Sequence, residues 1–343
     1  MINIFILNIL LSVLLGMMNA LVCCLYSLEQ IPNDNKLKTQ ELKMAAVTLL
    51  DGGLGQEIQK RSAQSAHALW SVKVMMEKPE IVTAVHRDYI DAGAGVLCIN
   101  AYTATPSRLA RNGFSEWFDE AQALAVRIAN EARDESGKSG LQLNGCLPPL
   151  VASYKTDVSL DYEASLAMFR QIVAAQQHGV DVFIAETMGI IAEASAAIDA
   201  AKETGKPVYV GFTLADDISN TLRSGEDLAD AVAMAVDRGV DGILVNCSFP
   251  EAVSAAMPML ADSGLRCGGY ANGFTSIDAL VPGGNVDALS ARKDLGPETY
   301  ADFAMSWVED GASIVGGCCE VGPAHIAHLH QCLVAAGTEF IPL

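Results

Sequence analysis

A short turn recurs along this chain wherever a helical pattern gives way to an apolar run. A glycine is followed by one or two small or acidic residues and then by an apolar run, as in GAGVLCI, GVDVFIA, GVDGILV and GASIVGG. Glycine is the usual residue just past the end of a helix, and continuous apolar runs are typical of strands buried on both faces. The repeated turn therefore predicts strands that alternate with helices in a largely parallel sheet.

The alternation continues along the whole chain after its first 46 residues. The predicted strands are 47–51, 96–102, 141–147, 182–188, 208–214, 242–248, 265–271 and 313–319, and the predicted helices are 79–94, 115–136, 160–179, 193–205, 225–239, 250–264, 296–311 and 322–337. Eight strands with intervening helices predict an α/β fold, the (β/α)8 TIM barrel. A doubly wound open sheet is the alternative, but GGLGQE after the first strand does not match the phosphate-binding pattern G-x-G-x-x-G.

The first 28 residues form an apolar stretch, which a polar segment, EQIPNDNKLKTQELK, separates from the predicted fold. The stretch is long enough to span a membrane, but it has neither a basic beginning nor a clear A-x-A cleavage site. Either the native protein starts at Met44, or a membrane anchor or export signal precedes the fold. We therefore divide the chain into an extension, 1–43, and a barrel domain, 44–343. We expect a cytoplasmic protein unless the extension anchors it.

Charge and cysteine content narrow the classes of function. Acidic residues outnumber basic residues by 41 to 22, giving a formal net charge of -19, which argues against a nucleic-acid-binding surface. The nine cysteines are an odd number in a chain with ample apolar residues for a core, so we do not expect a disulfide scaffold. We expect reduced thiols, some of which act as metal ligands.

Polar and metal-binding residue types are concentrated at the C-terminal ends of the predicted strands. In a barrel these ends converge on one face, where active sites are built. The residues are Asp51, Gly52 and Gly53 at the first strand, Asn100 and Tyr102 at the second, Glu186 at the fourth, Cys247 at the sixth, and Cys318 and Cys319 at the eighth. They are the candidates for a functional site.

Three cysteines share that face, Cys247 and the adjacent pair Cys318 and Cys319. Three thiolates and one open position would suit a catalytic zinc ion. Neighbouring side chains on a strand point to opposite faces, so both members of the pair reach one metal only where the chain leaves strand geometry. We expect Gly316 and Gly317 to permit this. A strained vicinal disulfide and simple packing are the alternatives.

The other cysteines and the histidines receive structural interpretations. We expect Cys98, Cys146, Cys267 and Cys332 to pack as small apolar residues. His325 is expected to cap the last helix or face solvent, although ligation is an alternative. His86 is expected to lie at the surface or at a helix end.

Longer motifs carry a resemblance to a known family. The chain resembles the homocysteine S-methyltransferases in LLDGGLGQEI, ALWSVKVMMEKPEIVTAVHRDYIDAGA, INAYTATPSRL, FIAETM, VNCSFPEAV and VGGCCEVGPAHI, over about residues 47–336. Betaine–homocysteine methyltransferase and the homocysteine module of cobalamin-dependent methionine synthase are related. The resemblance implies a zinc-binding barrel in which Cys247, Cys318 and Cys319 hold the ion.

The resemblance also implies the substrate residues and the reaction. Asp51 and Glu186 would bind the amino-acid part of homocysteine, with the backbone of Gly52 and Gly53 nearby. The zinc-activated substrate thiol would take a methyl group from a sulfonium or quaternary ammonium donor and give methionine, with no catalytic residue beyond that thiol. Trp70 is the first candidate to face the donor cation, and Tyr102 is a weaker one.

Three departures from the family motifs bear on the donor. They are Ile99-Asn100-Ala101-Tyr102, which keeps Asn100 as a substrate-binding candidate but loses hydroxyl groups, Gly145-Cys146, and Glu320 after the cysteine pair. None is a predicted metal ligand, so they leave only the donor and the preferred thiol open. No cobalamin- or folate-binding extension follows residue 337, and we expect direct transfer from S-methylmethionine, S-adenosylmethionine, betaine or dimethylsulfoniopropionate.

The expected partners are homocysteine and a small methyl donor, without nucleic acid, and with a membrane only if residues 1–28 are native. A homo-oligomer is compatible with the sequence. Two other functions stay open: a non-catalytic zinc–thiolate binding protein, and a methyltransferase for another thiol or a selenol such as selenocysteine. In the first of these, Asp51 and Glu186 would only order loops. A phosphate-binding lyase or isomerase is disfavoured, because the strand ends carry neither a lysine nor a clear acid–base pair.

Overall fold

The structure is a computed structural model that describes residues 46–280 and 288–343. The predicted extension 1–43 and the predicted start at Met44 lie outside the described residues. Within the described ranges, no helix combines the length and apolar character that crossing a membrane requires.

One parallel sheet of nine strands runs through the described residues. The strands are β1 (Ala46–Leu49), β2 (Val96–Cys98), β3 (Gln142–Leu147), β4 (Val182–Met188), β5 (Val208–Phe212), β6 (Gly242–Asn246), β7 (Arg266–Tyr270), β8 (Ile314–Val315) and β9 (Glu339–Phe340). Their order across the sheet is β2-β3-β4-β5-β6-β7-β8-β1-β9. Strands β2 to β8 are thus neighbours in chain order, without the reversal that defines a doubly wound sheet.

Helices connect the strands and pack on the sheet. They are α1 (Leu54–Ser62), α2 (Trp70–Glu77), α3 (Pro79–Asp91), α4 (Pro106–Arg111), α5 (Phe118–Ser136), α6 (Tyr162–Gln176), α7 (Ile191–Lys202), α8 (Leu228–Asp237), α9 (Pro250–Asp262), α10 (Pro297–Glu309) and α11 (Pro323–Ala335). Proline occupies the first turn of α3, α4, α9, α10 and α11. Its missing N–H costs nothing there, so these prolines favour helix initiation.

The sheet is curled, and β1 approaches β2 as well as β8. Leu50 forms a single parallel bridge with Val96. The amide of Gly95 donates to the carbonyl of Leu49 at 2.8 Å, and the amide of Asp51 donates to the carbonyl of Val96 at 3.0 Å. The predicted α/β class is confirmed, and the curled parallel sheet is close to that of a TIM barrel.

Alternate strand residues enter two separate apolar clusters. Leu49 and Phe183 pack with helix residues in the large cluster, whereas Leu50 and Ile184 join a small cluster on the face away from the helices. Because successive side chains on a strand point to opposite faces, both faces of the sheet are buried. Burial of each such side chain contributes about 1.5–3 kcal/mol, which explains why the strands are continuous apolar runs.

The predicted strands are correct in place but often too long. The eighth ends at Val315 although 313–319 was predicted, so the adjacent cysteines lie in a loop and not in a strand. Helices α1, α2 and α4 and strand β9 were not predicted. The three helices lie in the loops after β1 and β2, where the apolar pattern does not distinguish a short helix from a loop.

Candidate active site

All predicted site residues line one cavity at the C-terminal ends of the strands. They are Asp51, Gly52, Gly53, Trp70, Asn100, Tyr102, Glu186, Cys247, Cys318 and Cys319. The structure therefore brings together the residues that were selected from the sequence, and the contacts below describe how each residue is held.

Cys247, Cys318 and Cys319 form one group, since their Sγ atoms all lie within 4.8 Å of one another. Cys247 follows β6 directly, with a positive φ of 49°. The amide of Cys318 donates to the carbonyl of Ala271 at 2.9 Å, and the carbonyl of Cys319 accepts from Gly273 at 2.8 Å. These bonds tie the pair to the loop after β7, so both sulfurs face Cys247.

Gly316 and Gly317 serve close packing in this loop. A Cβ atom on Gly316 would lie 2.5 Å from Cβ of Leu50, and one on Gly317 would lie 2.2 Å from Cγ1 of Val321. Neither glycine has a positive φ. The chain does leave strand geometry before the cysteines, as predicted, but the glycines allow it by admitting neighbouring side chains.

Hydrogen bonds concentrate negative charge on Cys247. Bonds from the thiols of Cys318 and Cys319, together with one from the Tyr154 hydroxyl at 3.0 Å, lower the pKa of Cys247 well below its ordinary value. The same bonds raise the pKa of Cys318 and of Cys319, which act as donors. Three sulfurs this close together fit a divalent metal, which would bind all three as thiolates and keep a fourth position open.

The residues beside Glu186 and Cys247 bind the two strand ends together. The amide of Thr187 donates to Oδ1 of Asn246 at 2.8 Å, and Nδ2 of Asn246 donates to Oγ1 of Thr187 at 3.0 Å. Asn246 crosses β5 at Gly211, where a Cβ atom would lie 2.7 Å from Oδ1 of Asn246. Only glycine leaves room for this bond, and the bond fixes the spacing of Glu186 and Cys247.

Asp51, Gly52 and Gly53 lie against the loop that carries the cysteine pair. A Cβ atom on Gly53 would lie 2.5 Å from the carbonyl oxygen of Cys318. The carbonyl of Asp51 accepts from Gly317 at 2.9 Å, and its Oδ2 accepts from the amide of Cys98 at 2.9 Å. Burial raises the pKa of Asp51 well above its ordinary value. The end of β1 is thus packed directly on the loop that follows β8.

Glu186 belongs to a second group of close side chains, with Cys98 and Cys146. Its Oε1 accepts from Sγ of Cys146 at 2.9 Å and from Sγ of Cys98 at 3.7 Å. Burial raises the pKa of Glu186 to about 7. Cys98 and Cys146 pack with the apolar core, as predicted, and both thiols also line the cavity and donate to a carboxylate, which was not predicted. Their position at strand ends is the signal that could have indicated this second role.

Asn100 is held by a single neighbour. Its Oδ1 accepts from the hydroxyl of Ser71 at 2.7 Å, and its Nδ2 donates to the carbonyl of Ser71 at 3.1 Å. The side chain therefore connects β2 to α2, and its predicted contact with substrate stays a prediction.

The two predicted aromatic residues contact each other. The rings of Trp70 and Tyr102 meet edge to face at 6.4 Å, and Trp70 has a positive φ of 47°. A Cβ atom on Gly55 would lie 2.5 Å from ring atom Cη2 of Trp70. The Tyr102 hydroxyl bonds to the hydroxyl of Ser153 at 2.9 Å. Both aromatic side chains line the cavity.

Sequence reasoning missed Arg108, Ser153 and Tyr154, which also line the cavity. Ser153 and Tyr154 lie in the loop after β3, and the positive φ of 62° that orients Tyr154 leaves no mark in the sequence. His325 was placed correctly: its Nδ1 accepts from the amide of Gly322 at 3.2 Å and caps α11. It is outside the group of three cysteine sulfurs.

Known proteins share this architecture. The family model for "Homocysteine S-methyltransferase" matches residues 48–333. The chain is 31% identical to the homocysteine S-methyltransferase of Escherichia coli (strain K12) over 308 residues, 82% of this chain and 94% of that protein. It is 28% identical to the selenocysteine methyltransferase of Astragalus bisulcatus, over 83% of this chain and 92% of that protein. The metallated form of the E. coli homocysteine methyltransferase MmuM superposes with a TM-score of 0.71 at 29% identity, over 83% of this chain and 96% of that chain.

Proposed function

The chain belongs to the homocysteine S-methyltransferase family, and from this premise we propose that it transfers a methyl group from a small sulfonium or quaternary ammonium donor to the sulfur of homocysteine, giving methionine. One observation carries the proposal: the three cysteine sulfurs and the carboxylates of Asp51 and Glu186 face the same cavity. A thiol-activating group and an ammonium-binding group are the two requirements for this acceptor.

We propose zinc as the resident metal, held by Cys247, Cys318 and Cys319. Support comes from the sulfur-only donor set and from the close approach of the three Sγ atoms. When bound, zinc would supply Lewis acidity that lowers the pKa of a substrate thiol at its fourth position. Tyr154 orients Cys247 through the hydroxyl bond to its sulfur.

Asp51 and Glu186 would bind the ammonium group of homocysteine. Burial raises the pKa of Asp51, and the negative charge of Glu186 raises it further. No Lys or Arg of the described residues forms an ion pair with either. A substrate ammonium would supply the missing positive charge. Holding it at this end of the cavity directs the thiol toward the cysteine group.

Trp70 and Tyr102 would face the cationic donor. Aromatic faces attract sulfonium and quaternary ammonium groups, and the two rings are fixed by their edge-to-face contact. The onium centre of the donor becomes neutral when it loses its methyl group, so this attraction ends with the reaction. The cavity walls would then favour release of the product.

We also propose that the sheet closes into a (β/α)8 barrel formed by 44–343, with 1–43 as an appended segment. The bridge between Leu50 and Val96 and the two flanking backbone bonds support closure. A closed ring would bring the ends of β1, β4, β6 and β8 around one mouth, which is the arrangement that the cavity requires.

Selenocysteine methylation is the second candidate, because one relative is a selenocysteine methyltransferase. A selenol is more acidic than a thiol and has the same need for an ammonium-binding site. Parallel assays with homocysteine and selenocysteine as acceptors separate the two functions.

Metal analysis with a methyl-transfer assay tests the proposal. We expect about one zinc per chain in the purified protein, and loss of both zinc and transfer in Cys247→Ala. Cys332→Ala is the matched control, since Cys332 lies on α11 away from the cavity, and it should keep both. Wild-type zinc content and full transfer in Cys318→Ala or Cys319→Ala would overturn the metal assignment.

A further inference from the structure

Arg108 on α4 is a buried cation that forms no ion pair with any described residue. Only 7% of its surface is exposed, and it lines the cavity described above. Its Nη2 donates to the carbonyl of Pro149 at 2.8 Å and to the hydroxyl of Ser153 at 3.3 Å, while its buried Nε has no partner. Among the described residues, no carboxylate oxygen lies within the 4.0 Å that defines an ion pair with Arg108.

The carboxylate of Glu193 attracts Arg108 electrostatically but forms no ion pair with it, and both of its oxygens accept other hydrogen bonds. Its Oε1 accepts from the amide of Leu150 at 2.8 Å, and its Oε2 accepts from the hydroxyl of Ser159 at 3.4 Å. A buried charge without a counter-charge is unfavourable, so such groups are paired or bind a charged ligand. Arg108 therefore lines the cavity as a buried cation without an ion pair, and the carboxylate of a ligand would supply the counter-charge.

The surroundings of Arg108 indicate which anion reaches it. Its guanidinium lies 5.4 Å from the ring centre of Tyr102, and that ring contacts Trp70. The cavity is lined by two carboxylates, those of Asp51 and Glu186, and by a guanidinium beside two aromatic rings. A molecule with an onium group for the rings and a carboxylate for the arginine matches the guanidinium and the rings.

We propose that Arg108 forms a carboxylate subsite that selects zwitterionic methyl donors, in which an onium methyl group and a carboxylate are joined by a short chain. The inference rests on the proposed function, because it names the donor class of the same site. Guanidinium and carboxylate match in shape and form paired hydrogen bonds that lysine does not reproduce. Homocysteine also carries a carboxylate, and the contact of Arg108 with Tyr102 favours the donor as the source.

Matched acid and amide substrates test the subsite. The donors are S-methylmethionine and dimethylsulfoniopropionate, each compared with its own amide, in the wild type, Arg108→Gln and Arg108→Lys. We expect the wild type to prefer the acids. In Arg108→Gln the KM for the acids should rise roughly 30-fold or more while the KM for the amides changes little, and Arg108→Lys should recover only part of the difference.

Arg111→Gln is the matched control for these variants. Arg111 lies on the same helix, and its Nη1 donates to the carbonyl of Val151 at 3.0 Å in the same loop, but at the surface. If Arg108 only supported that loop, both variants would affect acids and amides alike. Equal use of acid and amide by the wild type, or an unchanged acid preference in Arg108→Gln, would overturn the proposal.

Homocysteine and its amide as acceptors distinguish the two carboxylate sources. If Arg108→Gln removes a preference for the acceptor acid and not for the donor acid, the donor assignment is overturned. Calorimetric binding of 3-(methylthio)propionate and its amide to the zinc-loaded protein needs no turnover. Absence of methyl transfer in the wild type would contradict the proposed function, whereas absence of an Arg108-dependent difference in binding would contradict the subsite alone.

Discussion

The cavity contains two groups of three close side chains, and they differ in where the negative charge lies. In the group of Cys247, Cys318 and Cys319, the sulfur of Cys247 receives the hydrogen bonds, which lower its pKa. In the group of Cys98, Cys146 and Glu186, the sulfurs are donors and the carboxylate receives them. Although a hydrogen bond with Cys146 lowers it, the pKa of Cys98 is raised to about 12 by burial and by the nearby carboxylates of Glu186 and Asp51.

The difference shows that close cysteines alone do not define a thiolate site. In both groups the ligand atoms lie within 4.8 Å of one another. The deciding factor is the acceptor: the pKa of a thiol beside a buried carboxylate is raised, whereas the pKa of a thiol beside other thiols and a tyrosine hydroxyl is lowered. The difference supports the proposal that the first group binds the metal and the second the ammonium group.

Removal of a sulfur from the first group should have the largest effect. We expect Cys318→Ala to lose zinc and to lower kcat/KM by at least about a thousandfold, because several kcal/mol of electrostatic stabilisation depend on the metal. Zinc content by mass spectrometry and initial rates measure this. Cys146→Ala, from the second group, should keep its zinc; loss of zinc there would remove the distinction between the two groups.

Neutralising the second group should affect substrate binding and leave the metal in place. We expect Glu186→Gln to raise the KM for homocysteine roughly 30-fold or more, since loss of one partner of a buried charge pair costs about 2–5 kcal/mol. The same variant should retain wild-type zinc content. A normal KM with a lowered kcat would instead assign Glu186 to the chemical step.

The pH dependence should reflect the second group. Burial raises the pKa of Glu186 to about 7, so the carboxylate that binds ammonium is ionised above that pH and protonated below it. We expect kcat/KM for homocysteine to fall about tenfold per pH unit below 7. The profile of Glu186→Gln should be flatter in this range, and an identical profile would exclude Glu186 as the titrating group.

The smallest expected effect concerns the thiol donor Cys146. Cys146→Ala removes a hydrogen bond to Glu186 that is worth about 1 kcal/mol, so the KM for homocysteine should rise roughly fivefold. Cys146→Ser keeps a donor at the same position and should restore most of the loss. A serine variant as impaired as the alanine variant would indicate that size, and not donation, matters here.

The fold was predictable because strands β1 to β8 are largely buried on both faces and the longer helices bury an apolar face. The ends of elements were less predictable, as β8 shows: Gly316 looks like strand but packs on Leu50. The burial of a polar residue in the middle of a helix can also be predicted wrongly. His86 was expected at the surface, yet it is fully buried on α3, because hydrophobic pattern alone does not say which polar residue a packed face will include.

Much of the candidate site was predictable from position at strand ends. Cys98 and Cys146 were interpreted as packing residues because a single cysteine in an apolar run carries no sign of its hydrogen-bond partner. Tyr154 and Arg108 were missed because their place in the cavity depends on loop conformation. Such contacts arise from backbone geometry that a linear pattern does not encode.

The pairing of β1 with β8 and β9 also bears on how the protein is made. During synthesis β1 leaves the ribosome first, yet its partners are among the last residues translated, so this pairing has high contact order. Cys318 and Cys319 emerge at the same late stage. A nascent chain therefore offers zinc a single ligand of the set, Cys247, until translation is almost complete. The proposed metal site would therefore be completed only as a final step of maturation.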